Sequence, residues 1–321
     1  MKSSAAHGSN AAPGPLARLL ARRRPVVLDG AMGTELERRG VATVLPLWSA
    51  HALLASPQTV RGIHVDYINA GADIITSNTF RTTGRAFLRA GFPDLSAELT
   101  VRAVSLARES IAAFPGKQVL LAGSMAPLED CYHPELVPAD EALREEHAEQ
   151  AGRLAEAGVD FLLLETMGTL REATAAAEAA GETGLEFVVS FLCNREGALY
   201  GGEPLGEAVR LIMRLSPAAL SLNCVSPRFM GRSLANLQSA LRGIPRGEHV
   251  PIGLYANVGA PGGEHGTPLL RDVSPGEYAG FARTWVNAGV SFIGGCCGTT
   301  PEHIKEIAEA LAAERTATPS S

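Results

Sequence analysis

Three stretches of nearly the same sequence decide the fold of this chain: Ala70–Ile75 (AGADII), Ala157–Leu162 (AGVDFL) and Ala288–Ile293 (AGVSFI). In each, a glycine stands where a helix ends, and an apolar pair begins three residues later. Glycine suits the left-handed position just after a helix, so each stretch predicts a corner from a helix into a strand. The stretches begin at 70, 157 and 288, with no fixed period. They therefore indicate one corner used repeatedly and not a solenoid repeat.

Eight short apolar runs of the sequence predict buried strands. They lack the alternation of polar and apolar residues that a strand with one wet face shows, which is typical of parallel strands covered on both faces. The segments between them carry a helical period, as at Val60, Ile63 and Tyr67. The runs are Val26–Leu28, Asp73–Ser77, Gln118–Gly123, Asp160–Leu164, Glu186–Phe191, Ala219–Asn223, Pro251–Tyr255 and Ser291–Gly294.

Eight strand-then-helix units in series predict an α/β protein with one (β/α)₈ TIM barrel as a single domain. We place this barrel at residues 16–314 and expect disorder in the small, polar segments 1–15 and 315–321. The alternative is a doubly wound open sheet. A nucleotide-binding sheet of that kind needs GxGxxG after its first strand, which Asp29–Thr34 (DGAMGT) does not provide.

Composition excludes several classes of function. Hydrophobic residues make up 46% of the chain, and 28 Lys and Arg against 34 Asp and Glu give a formal charge of −6, so we expect no nucleic-acid partner. No apolar run is long enough to cross a membrane, and the segment after Arg24 is too short for a signal peptide. Five cysteines, two of them adjacent, do not form a disulfide framework. We expect a cytoplasmic protein.

Polar and thiol side chains follow the predicted strands where each one ends. In a TIM barrel these ends meet at one face, which carries the chemistry. The residues at this face are Asp29, Ser77, Asn78, Thr79, Ser124, Glu165, Cys224, Asn257, Cys296 and Cys297.

Three cysteines at this face suggest a zinc site. Strands six and eight are second neighbours, so Cys224 and the pair Cys296-Cys297 start about 10 Å apart, a gap that loop curvature can close. Three thiolates leave one of four zinc positions open, as in catalytic sites. The flanking Gly294-Gly295 and Gly298 allow the unusual backbone angles that adjacent cysteines need to converge. The alternative for Cys296-Cys297 is a vicinal disulfide. Cys131 and Cys193 are interpreted as small buried hydrophobic residues.

Five phrases together resemble the homocysteine S-methyltransferase family. That family includes enzymes that use S-methylmethionine or betaine, and the homocysteine module of cobalamin-dependent methionine synthase. The resemblance covers residues 16–314. The phrases are LDGAMGTELERRG (Leu28–Gly40), ADIITSNTF (Ala72–Phe80), LLLET (Leu162–Thr166), SLNC (Ser221–Cys224) and GGCCGTTPEHI (Gly294–Ile304).

The resemblance implies a zinc-dependent methyltransferase in which Cys224, Cys296 and Cys297 hold Zn²⁺. It also implies that Asp29 and Glu165 hold the amino group of homocysteine.

Further site residues are carried over from the same resemblance. The backbone of Ala31 and Met32 would meet the homocysteine carboxylate, with Asn78 as a further substrate contact. Trp48 and Asn257 would lie on the side of the methyl donor.

We therefore expect this chain to methylate homocysteine to methionine. The chain lacks the C-terminal extension of the betaine enzymes, so S-methylmethionine or S-adenosylmethionine is the favoured donor, and a monomer is favoured. Three alternatives stay open: a homocysteine-binding subunit that works with a separate corrinoid protein, a methyltransferase for selenocysteine or another thiol, and a barrel with a purely structural zinc. We assign packing or surface roles to His64, His147 and His303. The Gly-rich loop at 261–268, which contains His265, is interpreted as a mobile lid.

Overall fold

Eight parallel strands form the centre of the molecule. The computed structural model describes residues 12–22, 24–258 and 272–317 of the 321-residue chain. Each predicted run overlaps one observed strand, with ends that differ by a few residues. The strands are β1 (Val26–Val27), β2 (Ile74–Thr76), β3 (Leu120–Met125), β4 (Phe161–Met167), β5 (Phe187–Phe191), β6 (Ala219–Asn223), β7 (Ile252–Ala256) and β8 (Phe292–Gly295).

The eight strands form a closed ring, in which β1 lies between β8 and β2. β1 pairs with β8, and the remaining strands pair in sequence from β8 back to β2. Between β1 and β2 the ring is completed by a bridge between Leu28 and Ile74. Two backbone hydrogen bonds support it, from Asp73 N to Val27 O (2.7 Å) and from Asp29 N to Ile74 O (3.0 Å). The predicted single (β/α)₈ TIM barrel is confirmed.

Helices cover the outside of the barrel, so each strand is buried on both faces. This explains why the strands read as continuous apolar runs. The described α-helices are α1 (Pro15–Leu20), α2 (Gly33–Arg38), α3 (Ala52–Ala55), α4 (Pro57–Asn69), α5 (Gly84–Arg89), α6 (Ser96–Ala112), α7 (Asp140–Ala157), α8 (Leu170–Glu182), α9 (Leu205–Ile212), α10 (Pro227–Arg242), α11 (Pro275–Asn287) and α12 (Pro301–Ala317). Short 3₁₀ helices occur at Ser49–His51, Pro93–Leu95, Pro134–Leu136, Met213–Leu215 and Gly247–His249.

The three repeated corners adopt the predicted backbone conformation. Gly71, Gly158 and Gly289 have φ values of 115°, 86° and 90°, in the region that favours glycine. Each follows a helix and leads into β2, β4 or β8. In each stretch, therefore, one glycine allows the backbone to turn from the helix into the strand.

The observed elements extend slightly beyond the predicted ends of the barrel. The first helix begins at Pro15, and the last continues to Ala317. Residues 12–14 of the predicted disordered segment are described and belong to neither a helix nor a strand. Residues 1–11 and 318–321, and the predicted lid loop with His265, lie outside the described residues. Within the described ranges, every helix is too short or too polar to cross a membrane.

Candidate functional site

The carboxyl ends of the strands surround a cavity of about 170 Å³. Asn257 is the predicted site residue that does not line it. The predicted residues that do line it are Asp29, Ala31, Met32, Trp48, Asn78, Glu165, Cys224, Cys296 and Cys297.

Three cysteine sulfurs meet in this cavity. Cys297 Sγ lies 4.0 Å from the Sγ atoms of both Cys224 and Cys296, and all three sulfurs lie within 4.8 Å of one another. A tetrahedral zinc ion with Zn–S bonds of about 2.3 Å needs sulfurs about 3.8 Å apart. The three sulfurs therefore fit a zinc ion after small movements, and they leave one of its four positions for another ligand. The adjacent cysteines are not bonded to each other, so the vicinal disulfide is absent here.

The backbone of β7 brings the thiols together across the gap between β6 and β8. The amide of Cys224 donates to Tyr255 O (3.3 Å), and the amide of Cys296 donates to Ala256 O (2.8 Å). The carbonyl of Cys297 accepts a hydrogen bond from Val258 N (3.1 Å). Both cysteine loops are thus attached to the strand between them, which closes the separation expected for second neighbours.

The predicted positive φ occurs at Gly298 but not at Gly294 or Gly295, and Cys224 also has one. Cys224 itself has a φ of 56°, and Gly298 has a φ of 81°. Gly294 and Gly295 are not in this region but lack room for a side chain. A Cβ at Gly294 would lie 2.7 Å from Leu28 Cβ, and one at Gly295 would lie 2.3 Å from the hydroxyl of Thr299.

The thiol cluster can release a proton at one of its members. Hydrogen bonds with the thiols of Cys224 and Cys296 hold the pKa of Cys297 well below its usual range. A thiolate, and not a thiol, binds a metal ion, so this arrangement suits metal binding.

Two carboxylates share the cavity, and both have a raised pKa. Burial raises the pKa of Asp29 to about 8, although Thr76 donates to it from its amide (2.8 Å) and its hydroxyl (2.9 Å). Burial raises the pKa of Glu165 to about 7, although the hydroxyl of Ser124 donates to it. Among the described residues, no cationic side chain lies within 4.0 Å of either carboxylate. The pair can therefore accept an ammonium group from a ligand.

Glu165 lies inside β4, whereas we expected it just after the strand. Phe161 and Leu163 point into the barrel, and the two-residue period puts Glu165 on the same side. The pairing of β4 with β5 then shifts its register, and Thr166 has a φ of 64°. This irregularity ends the alternation, since Met167 packs on the outer side of the barrel.

The loop after β1 is fixed by contacts that the sequence did not predict. The amide of Ala31 donates to the hydroxyl of Thr299 (3.1 Å), and its carbonyl accepts from Tyr67 Oη (2.8 Å). The Ala31 amide thus already has a partner, while Met32 lies at the start of α2.

Trp48 and Asn78 join two loops at the rim of the cavity. Asn78 Nδ2 donates to Ser49 O (2.9 Å), and the Trp48 ring makes an edge-to-face contact with Phe80 at 5.5 Å. Trp48 also has a φ of 45°.

Asn257 is fully buried behind the cavity, so the predicted contact with the donor is not supported. Its backbone amide donates to Val225 O (3.0 Å), which turns the chain toward the loop after β6. Its side-chain Nδ2 then donates to the carbonyl of Cys224 (3.0 Å). Asn257 therefore holds the loop that carries a thiol.

Several residues of the cavity were missed. Cys131 is half-buried and lines the cavity, in contrast to Cys193, which is buried as expected. The hydroxyl of Tyr255 is buried in the cavity wall with no hydrogen-bond partner among the described residues. The sequence signal that could have identified Tyr255 is its position at the end of β7, two residues before Asn257. Arg81 and Tyr132 also line the cavity.

The three histidines assigned to packing lie away from the cavity. His64 is completely buried, and burial lowers its pKa to about 4. Nε2 of His147 lies 3.3 Å from Oε1 of Glu172, and Nε2 of His303 lies 3.3 Å from the carbonyl oxygen of Val273.

Comparisons with known proteins point to one family. The homocysteine S-methyltransferase profile matches residues 26–311. A homocysteine S-methyltransferase of Escherichia coli is 31% identical over 309 residues, which span 90% of this chain and 96% of the relative. A selenocysteine Se-methyltransferase of Brassica oleracea var. italica is 29% identical over 90% of this chain and 89% of the relative.

A solved structure also superposes on the chain. The metallated form of the homocysteine methyltransferase MmuM from Escherichia coli has a TM-score of 0.77 and 30% sequence identity, covering 92% of this chain and 99% of that structure. The profile match spans most of the barrel and includes all three cysteines of the cavity. This chain belongs to the homocysteine S-methyltransferase family.

Proposed function

We propose that this chain is a zinc-dependent enzyme that transfers a methyl group from a sulfonium donor to the thiolate of homocysteine, giving methionine in the cytoplasm. S-methylmethionine and S-adenosylmethionine are the favoured donors. One observation carries the proposal: three cysteine sulfurs within 4.8 Å of one another share a cavity with two carboxylates that have no cationic partner among the described residues. A thiol and an ammonium are the two groups that homocysteine offers to such a site.

Cys224, Cys296 and Cys297 would hold the zinc ion. When bound there, zinc would supply Lewis acidity that lowers the pKa of a coordinated thiol, so that the acceptor sulfur would be a thiolate at neutral pH. Asn257 supports the set, because it fixes the carbonyl of Cys224. Contacts of this kind orient metal ligands.

Asp29 and Glu165 would bind the ammonium of homocysteine. The two residues belong to the loop after β1 and to β4, so they approach the cavity from different sides. Because the Ala31 amide already donates to Thr299, the backbone of its neighbour Met32 would receive the carboxylate, with Asn78 of the same cavity as a further contact. These contacts fix the amino-acid end, so that the sulfur at the other end is held in one orientation.

Trp48 would face the donor, because the face of an indole ring attracts a cation. The acceptor sulfur then attacks the methyl carbon in line. A new carbon–sulfur bond forms as the bond to the donor sulfur breaks, and the electron pair stays on the departing neutral thioether. No covalent intermediate with the protein is needed, so the chain contributes positioning and a cavity that surrounds the reacting groups.

A donor screen with purified, zinc-loaded protein tests the proposal. Homocysteine is supplied with S-methylmethionine, S-adenosylmethionine or betaine, each without another protein, and methionine is measured. We expect turnover with a sulfonium donor and its loss after zinc is removed by a chelator. Turnover without a partner would exclude the role of a subunit that depends on a corrinoid protein. Full turnover in protein shown to contain no zinc would overturn the zinc mechanism.

Selenocysteine is a second candidate acceptor, supported by the similarity to the Brassica selenocysteine Se-methyltransferase. Its selenol is more acidic than a thiol and would fill the same position. Measuring kcat/KM for both acceptors with one donor decides between them, since a preference of about tenfold corresponds to about 1.4 kcal/mol in transition-state binding.

A further inference from the structure

Arg81 is the sole arginine or lysine among the described residues that line the cavity. Arg81 lies in the loop after β2, directly after Phe80 in the sequence, and Trp48 lines the same cavity. The proposed chemistry of homocysteine uses the carboxylates and the thiols, and it leaves this cation without a role.

The guanidinium of Arg81 is held in place but not neutralised. Its Nη1 donates to the carbonyls of Pro127 (3.4 Å) and Glu129 (3.1 Å), which are neutral groups. Asp130 lines the same cavity, yet among the described residues no carboxylate oxygen lies within 4.0 Å of the guanidinium. The edge formed by Nε and Nη2 has no partner in the described part of the chain. Two parallel N–H groups of this kind match a carboxylate.

An aromatic surface lies beside this charge. The Arg81 guanidinium itself lies over the Phe80 ring, with Cζ 5.4 Å from the ring centre, and Phe80 in turn contacts the ring of Trp48, which also lines the cavity. Because Arg81 already covers the Phe80 ring, the Trp48 ring is the aromatic surface that a methyl-bearing cation would contact. The rim therefore presents a site for a cation and a site for an anion next to each other.

From this arrangement we propose that Arg81 binds the carboxylate of the methyl donor and so selects donors that carry both an onium methyl group and a carboxylate. In a sulfonium amino acid these two groups are four bonds apart, about 5 Å when extended. This inference rests on the proposed function, and it assigns the donor's charged end to one side chain.

Homocysteine is a poorer ligand for Arg81 than the methyl donor is. Its ammonium is attracted to Asp29 and Glu165, and its thiol to the cysteine cluster. Arg81 lies on a different loop, and its guanidinium is attached to the chain after β3. Arg81 is thus a specificity-determining residue for the donor, with no part in activating the acceptor.

The test compares two donors on three proteins. The donors are S-methylmethionine and its carboxamide, in which the carboxylate is replaced by a neutral group of similar size. The proteins are the zinc-loaded wild type, Arg81→Gln and Arg81→Lys. Calorimetry measures donor binding, and turnover gives KM for donor and acceptor.

We expect Arg81→Gln to raise Kd and KM for S-methylmethionine by about tenfold to a hundredfold, the usual effect of losing a hydrogen bond between charged groups. KM for homocysteine stays the same, and Arg81→Lys recovers part of the loss. The carboxamide binds wild type weakly and Arg81→Gln equally weakly, so the variant no longer distinguishes the donors. Arg89→Gln is the matched control, because Arg89 pairs with the side chain of Glu129 outside the cavity.

Three results would overturn the proposal: equal weakening of both donors by Arg81→Gln, a larger effect on homocysteine than on the donor, or no binding of S-methylmethionine to the wild type. Homocysteine binding that depends on zinc is measured on the same samples. If it persists while the donor result fails, the assignment of Arg81 is wrong and the acceptor half of the proposed function stands.

Discussion

The carboxylates at the two ends of the barrel differ in whether they have a cationic partner. At the amino ends of the strands, Asp73 accepts hydrogen bonds from both terminal nitrogens of Arg24, and Asp160 accepts them from both terminal nitrogens of Arg108. Each also accepts a backbone amide, from Val27 for the first and from Leu121 for the second. These carboxylates have their cations within the protein.

At the carboxyl ends, the hydrogen-bond donors to Asp29 and Glu165 among the described residues are neutral groups: the backbone and hydroxyl of Thr76 and the hydroxyl of Ser124. Burial without a cation raises the pKa of both carboxyls. In a TIM barrel the lower end serves stability and the upper end serves chemistry. The comparison indicates that the upper carboxylates, unlike the lower ones, are available to pair with a cationic ligand.

Helix α1 closes the lower end. The amides of Leu16 and Ala17 donate to the carboxylate of Glu186 (2.7 and 3.0 Å), and the side chains of Leu16 and Leu19 pack into the barrel interior. The upper end carries three of the five non-glycine residues with positive φ among those described, namely Trp48, Thr166 and Cys224. Strained backbone persists where the surroundings hold it, and it collects at functional sites.

The largest effect should come from removing a thiol at the upper end. Replacing Cys297 by serine leaves two thiolates, and a serine hydroxyl is a poor ligand for zinc. We expect loss of stoichiometric zinc and a fall in kcat/KM of about a thousandfold or more, since the acceptor is then mostly a thiol. Zinc content by atomic spectroscopy and turnover are measured on the same preparation.

Cys193→Ser is the matched control, because Cys193 is a buried thiol that does not line the cavity. It should keep its zinc and its activity while losing some stability. If Cys297→Ser kept both zinc and activity, the thiol cluster would not be the metal site.

A pair of carboxamide variants tests the comparison of the two ends directly. Asp29→Asn removes the charge proposed to bind the ammonium, so KM for homocysteine should rise by about tenfold to a hundredfold with little loss of stability. Asp73→Asn leaves Arg24 without its partner, so the free energy of unfolding should fall by about 2 kcal/mol while KM stays the same. Urea unfolding and steady-state kinetics measure both.

The comparison would be broken by the reverse pattern. A large loss of stability in Asp29→Asn would mean that this carboxylate is structural. A raised KM in Asp73→Asn would mean that the lower end influences substrate binding.

The pH dependence of stability sharpens the same contrast. The pKa of Asp29 is about 8 in the folded protein, against 3.8 as the ordinary value. Between these values the folded chain holds a proton that the unfolded chain has lost, so the contribution of Asp29 to stability falls as pH rises. Relative to wild type, Asp29→Asn should gain about 1 kcal/mol per pH unit from about pH 5 to about pH 8. Urea unfolding of zinc-loaded protein without homocysteine gives this difference, and a pH-independent difference would contradict it.

Most of the fold could be predicted because its signals are local. A glycine at 71, 158 or 289 marks its own corner, and an apolar run marks its own strand whatever the rest of the chain does. The thiol set was also predictable, since Cys224, Cys296 and Cys297 follow two strands and the barrel brings strand ends to one face.

The rest of the site depends on contacts between distant residues, which leave no local pattern. Arg81 reaches the cavity because carbonyls after β3 hold it, and Cys131 reaches it from a long loop. The family resemblance implied that Asn257 lies on the donor side, but its backbone bond to Val225 and its side-chain bond to the carbonyl of Cys224 hold it outside the cavity lining. A position at a strand end predicts closeness to the site, and the backbone direction then decides whether the side chain enters it.

The smallest predicted effect concerns backbone strain. Thr166 and Ser216 have φ values of 64° and 58°, but only Thr166 lines the cavity. Glycine removes the strain at either position and adds flexibility to the unfolded chain, so each change to glycine should alter the free energy of unfolding by about 1 kcal/mol or less. Ser216→Gly should leave kinetics unchanged. Thr166→Gly should raise KM for homocysteine a few fold, because Glu165 precedes it and the bulge in β4 holds that carboxylate in place. Equal kinetics for the two variants would show that the strained backbone of β4 has no part in positioning Glu165, and that the difference between the two ends of the barrel lies in side-chain charge alone.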